Sequence, residues 1–115
     1  MIVLEVTDGE LLGELERAAT EVGIRDGAMI LIGAVDEFTV STMPADDATI
    51  DEAGSYEWPA ELGGTGEFID GKPHVHATLA IEGHNVRGGH LLDATVSTHF
   101  VRAYVIPVAT GREDR

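Results

Sequence analysis

The chain has 115 residues, 43% of them apolar, which suits one small domain over 1–115 with a single core and excludes a disordered chain. Seven Lys and Arg face 21 Asp and Glu, a formal net charge of -14. That field repels a polyanion, the few cations are scattered, and direct DNA binding, which needs clustered ones, is disfavoured.

No apolar run approaches the roughly 20 residues of a membrane helix, so no membrane partner is expected. Met1-Ile2-Val3-Leu4-Glu5-Val6 has no basic n-region, unlike a secretory signal. The chain has no cysteine, which removes disulfide scaffolds, thiolate zinc sites and cysteine nucleophiles. The expected location is the cytoplasm.

Residues 2–7 alternate as a first strand. Thr7 as N-cap, with Glu10 three residues on, predicts a helix start. Leu11, Leu12, Leu15, Ala18, Ala19 and Val22 follow at helical spacing, and Gly23 is a natural stop. The unbroken apolar run from Gly27 to Val35 predicts a buried strand. Phe38–Thr42 reads as its hairpin partner, with Asp36-Glu37 near the turn. Residues 43–54 form an acidic surface loop.

The second half predicts short strands. Ser55–Trp58 closes at Pro59. Thr65–Ile69 follows a bend or bulge at Gly63-Gly64, and Asp70-Gly71 is a turn signal. His74–Ile81 turns at Glu82-Gly83-His84-Asn85 and returns as Val86–His90. Val96–Val108 is a long final strand. The fold class is α+β: a mainly antiparallel sheet with one N-terminal helix.

All five histidines lie after residue 73. His74 and His76, two apart on a strand, face the same side. A turn near residues 83 and 84 puts His76 opposite His90, or one residue off. In that register His74, His76 and His90 converge on one face, with opposed Cβ atoms about 5 Å apart. Three imidazoles so placed can each give a nitrogen to one metal and leave a fourth position open. Zinc suits them, as do iron, nickel and copper. Gly88-Gly89 before His90 allows a close backbone approach or a bulge. The competing reading is three ordinary, hydrogen-bonded strand histidines. His84 is expected in the turn, exposed. His99 is expected on the final strand, satisfied by a backbone group; the alternatives are a place behind the metal ligands or a fourth ligand if its strand pairs alongside.

Pro73-His74-Val75-His76-Ala77, a hairpin, then Gly88-Gly89-His90-Leu91-Leu92 resembles the core motif of the plants-and-prokaryotes conserved (PPC) domain. Gly33-Ala34-Val35 and Gly64-Thr65-Gly66 fit the same pattern. The resemblance covers nearly the whole chain and is to a short, stand-alone bacterial member. It implies an antiparallel α+β fold, a homotrimer, and kinship with acetolactate decarboxylase, a zinc enzyme with a similar His-x-His and Gly-Gly-His arrangement. On that analogy His74, His76 and His90 are the metal ligands, zinc being the first choice of metal. A small-molecule ligand at the open position, or a protein partner, is then expected. Glu57, Glu67 and Arg87 are the sequence-near candidates for that enzyme's acids and arginine. Plant relatives carry a basic AT-hook beside this domain, and bacterial ones a DNA-binding label. Here Gly111-Arg112-Glu113 has an acid where the hook needs a cation.

Overall fold

Alternating burial shows which way each strand turns its side chains. In the computed structural model, which describes residues 1–109, the strands are β1 (Ile2–Val6), β2 (Gly9–Glu10), β3 (Gly27–Val35), β4 (Glu37–Thr42), β5 (Glu52–Tyr56), β6 (Ala60–Ile69), β7 (Lys72–Ile81), β8 (Asn85–Val96) and β9 (Val101–Pro107). One helix, α1 (Leu11–Val22), follows β2. Gly111-Arg112-Glu113 lies outside the described residues.

The sheet runs β1-β9-β3-β6-β7-β8-β4-β5, with β2 also pairing to β8, and every pairing is antiparallel. Helix α1 buries Leu11, Leu15 and Ala19 against the inner face of the sheet. There they meet Leu4, Val6, Met29, Leu31, Phe38, Phe68, Val75, Leu79, Leu91 and Val96. This is the α+β architecture expected.

Several local expectations are corrected. The helix is capped by Glu10, not Thr7: the Glu10 carboxylate accepts from the backbone N–H of Leu12 at 3.0 Å and Gly13 at 2.9 Å. The longer side chain reaches the same orphan amides that a threonine would cap. Gly23 does end the helix, in a left-handed conformation.

Strands β3 and β4 are not a hairpin. β3 lies between β6 and β9, and β4 between β8 and β5. Asp36 separates them by engaging the turn after β8. Its carboxylate accepts from the N–H and hydroxyl of Ser97 at 2.7 and 3.0 Å and from the N–H of Thr98 at 3.1 Å. Its own N–H donates to the Thr95 carbonyl at 2.8 Å. Nor is β3 buried on both faces: Met29, Leu31 and Val35 are buried, while Ile30 and Ile32 are exposed.

Gly63 and Gly64 lie inside β6, paired with Thr78 and Ala77, and mark no bend. The segment 43–54 ends in the first residues of β5, and Trp58 lies outside any strand. The expected final strand divides at residues 97–100, which separate β8 from β9. His99 is therefore exposed in a connection, not held on a strand.

Candidate metal centre

Two tight hairpins build the site. Asp70 (φ 52°) and Gly71 (φ 79°) form the turn that pairs Ile69 with Lys72 and, further along, Glu67 with His74 and Thr65 with His76. Positive φ at both central residues is the backbone twist that antiparallel strands favour, and Asp-Gly supplies it at low cost. The Glu82–His84 turn then brings β8 back so that His76 stands opposite His90. Directly opposed residues share a face. His74, His76 and His90 therefore all sit on the outer face, away from the helix, and all three are exposed.

The three imidazoles touch one another. Ring centroids are 5.0 Å apart for His74 and His76, 4.8 Å for His74 and His90, and 5.7 Å for His76 and His90. His74 Nδ1 lies 3.2 Å from Glu67 Oε2. Thr65, Gly66, Glu67, His74 and His76 line a shallow depression beside the cluster. Among the described residues no group of three or more His, Asp or Glu side chains is placed, as it stands, to hold a metal ion. The rings are adjacent and steeply inclined to one another, at interplanar angles of 88°, 67° and 49°.

Gly89 explains how β4 fits beside His90. Its φ is +150°, and a Cβ there would lie 2.4 Å from the Ser41 carbonyl oxygen. Only glycine lets β4 approach β8 this closely. The irregularity falls just after His90, where the register shifts between Thr39 and Val40. Ser41, opposite His90, is buried.

Electrostatics favour a neutral His90. Desolvation first, and then the neighbouring His74 and His76, push its imidazole below the usual histidine range, with Asp51 pulling the other way. Asp51 comes from the acidic 43–54 segment, which thus reaches the cluster.

The other candidates are elsewhere. Glu67 is at the cluster. Arg87 is opposite Leu79, hence on the inner-face side, with its guanidinium 5.6 Å from the Tyr56 ring centroid. Glu57 is exposed outside any strand. His84 and His99 line a separate cleft, with Ile32, Leu62, Ile81 and Phe100, at the far end of β6 and β7. Glu67 was the partner that spacing could have assigned: the Asp70-Gly71 turn alone fixes its pairing with His74.

The family model of the Plants and Prokaryotes Conserved (PCC) domain, the domain also written PPC, matches residues 1–109. No match is found among curated proteins. Among solved structures, a protein of Ralstonia eutropha whose DNA-binding designation is provisional is 25% identical with a TM-score of 0.76, over 92% of this chain and 76% of that one. A metal-containing protein of Archaeoglobus fulgidus is 28% identical with a TM-score of 0.72, over 92% and 77%. Acetolactate decarboxylase of Bacillus subtilis shares the fold at 13% identity and a TM-score of 0.60, over 92% of this chain and 53% of the enzyme. With the family model spanning the helix, the sheet and all three clustered histidines, the chain belongs to the Plants and Prokaryotes Conserved domain family.

Proposed function

We propose that this protein is a metal-binding member of its family, with one divalent transition metal, zinc first, held by His74, His76 and His90. The observation that carries this is the mutual spacing of the three rings, 4.8 to 5.7 Å between centroids. Three imidazoles sharing one tetrahedral ion at 2.0–2.1 Å per nitrogen have centroids about 5 Å apart.

The donor chemistry fits as well. Glu67 holds Nδ1 of His74, which leaves Nε2 as the free donor; a carboxylate behind a metal-binding histidine fixes its tautomer and orientation. The depressed pKa of His90 keeps that ring in the neutral form a metal requires. A metal here supplies Lewis-acid activation of a carbonyl or a water at its open position. The residues of this chain orient the ligands and present that position on an open sheet face, where a small molecule can reach it. The metal-containing name of the Archaeoglobus neighbour points the same way. The working form is taken to be a cytoplasmic homotrimer, as the family resemblance implies.

A second reading, a non-enzymatic association module, draws on the exposed Ile30 and Ile32. DNA binding is not carried over from the Ralstonia neighbour, because the net charge of -14 opposes contact with phosphates. Elemental analysis of untagged protein beside His74→Ala and His90→Ala tests the metal reading: the two variants lose the ion if the reading holds. Equal metal content in all three proteins refutes it.

A further inference from the structure

The cleft at the far end of β6 and β7 shares no side chain with the histidine cluster. Its volume is about 1070 Å³, at the upper limit of the roughly 300–1,000 Å³ usual for small-molecule sites. The floor consists of paired strand positions. Ala34 is opposite Glu61, and Glu61 opposite Ala80; two residues along, Ile32 is opposite Gly63. A Cβ placed on Gly63 would meet nothing nearer than the Thr78 hydroxyl at 3.7 Å. Small residues therefore leave a trough where larger side chains would fill it.

Both walls are fixed. One is the connection 97–100. Gly33 lets it close on β3, since a Cβ there would collide with the Phe100 carbonyl oxygen. That carbonyl accepts from the N–H of Ala34 at 2.9 Å, and the Asp36 carboxylate holds the N–H groups of Ser97 and Thr98 at 2.7 and 3.1 Å. The other wall is the Glu82–His84 turn. Gly83 and His84 are left-handed, at φ 74° and 62°, an uncommon state for a bulky residue. The Asn85 side-chain amide closes the turn on the Glu82 carbonyl at 3.2 Å. A cleft with fixed walls costs little ordering on binding.

The lining combines apolar surface with one sign of charge. Ile32, Leu62, Ile81 and Phe100 line it, as do the carboxylates of Asp36, Glu61 and Glu82, and no Lys or Arg does. Asp36 is committed to the 97–100 wall. Among the described residues the carboxylates of Glu61 and Glu82 have no ion pair or hydrogen bond. Glu82 follows Ala80, the partner of Glu61, by two residues, a diagonal spacing of about 7–8 Å that one cation can bridge. Arg102, two residues beyond Phe100, is already occupied: its guanidinium lies 4.1 Å from the Phe100 ring centroid and its Nε 2.7 Å from Glu5. A concave site with carboxylates of one sign focuses the field of a chain of net charge -14. An anion is repelled, a neutral ligand gains burial alone, and an organic cation gains both.

We propose that this cleft binds a small organic cation, its ammonium group between Glu61 and Glu82 and its apolar or aromatic body over Ile32 and Gly63. His84 and His99, which also line the cleft, each offer a ring nitrogen as a further acceptor in the neutral form. The site is independent of any metal at the histidine cluster.

The test is amide NMR of the isotope-labelled full chain, titrated with three probes that share an indole body and differ in charge: tryptamine, tryptophol and indole-3-acetate. Tryptamine is expected to shift the amides of Gly63, Gly83 and His99 and to bind at least tenfold more tightly than tryptophol, with indole-3-acetate weakest. Glu61→Gln combined with Glu82→Gln, both at exposed positions, brings tryptamine down to the level of tryptophol. Gly63→Val, for which the floor has room, fills the trough and abolishes the shifts while circular dichroism stays unchanged. Equal binding of tryptamine and tryptophol, or wild-type tryptamine binding by the double glutamine variant, overturns the proposal. So do shifts centred on His74, His76 and His90, and so does the absence of any saturable shift at the cleft up to about 10 mM tryptamine.

Discussion

The carboxylate of Glu67 lies 3.2 Å from Nδ1 of His74, across a register set by the Asp70-Gly71 turn. Both side chains are about half exposed, so the contact adds little to stability. Its consequence is orientation: with Nδ1 occupied, Nε2 of His74 is the ring nitrogen left to bind a metal.

Glu67→Gln is therefore expected to leave the fold unchanged and to weaken zinc binding by roughly 10- to 100-fold, the usual effect of losing a carboxylate behind a metal-binding histidine. Chelator competition on the folded variant measures it. Wild-type affinity in Glu67→Gln removes Glu67 from the site.

Gly89→Ala is expected to destabilise the protein by about 1–3 kcal/mol, since an added Cβ meets a backbone carbonyl in a conformation that side chains rarely adopt. The collision is with Ser41, opposite His90, so β4 has to shift beside the cluster. Urea unfolding at neutral pH reads the loss. An unchanged midpoint means that β4 and β8 do not pack as closely as described.

Asp36 ties the connection between β3 and β4 to the turn after β8. The hydroxyl and N–H of Thr98, and then those of Ser97, lower its carboxyl from 3.8 to about 2. A depressed carboxyl contributes stability that is present above its unfolded value and is lost as pH falls through the folded one. The contribution is thus complete above about pH 5 and disappears between about pH 4 and pH 2. Asp36→Asn should lower the thermal midpoint at pH 7 and flatten its dependence on pH over that acid window. Parallel pH profiles for the variant and the wild type contradict this role. The group is close to solvent, so the effect is expected to be modest.

Much of this architecture was legible in the sequence. The Asp70-Gly71 turn and the turn near residue 83 limit the nearby pairings, and so spacing puts His76 opposite His90 or one residue off; the structure settles on the direct pairing. The long-range order of the sheet is not set by spacing. The run from Gly27 to Val35 and the alternating segment after it look like a hairpin, but they pair with strands far along the chain, β3 with β6 and β9 and β4 with β8 and β5, which local pattern does not reveal. The apolar run likewise marks β3 as a strand but does not reveal that Ile30 and Ile32 are exposed, because an unbroken apolar run reads as a strand buried on both faces. The cap was misplaced for a simpler reason: Glu10 reaches the amides that Thr7 was expected to serve.

DNA binding has its own expected outcome. At physiological ionic strength no mobility shift is expected with micromolar protein on mixed-sequence duplex, since the net charge of -14 opposes the counterion release that drives non-specific association. A shift that weakens steeply with added salt would reveal a local cationic patch and restore the designation carried by the Ralstonia neighbour.

The central claim is that three histidines on one open sheet face hold a metal. Elemental analysis of untagged protein, after incubation with zinc and removal of excess, tests it most directly beside His74→Ala and His90→Ala. The account predicts close to one ion per chain in the wild type and loss of that ion in both variants, with the folded sheet retained by circular dichroism. A wild type without metal, or variants that keep it, would contradict the account and leave His74, His76 and His90 as ordinary strand residues.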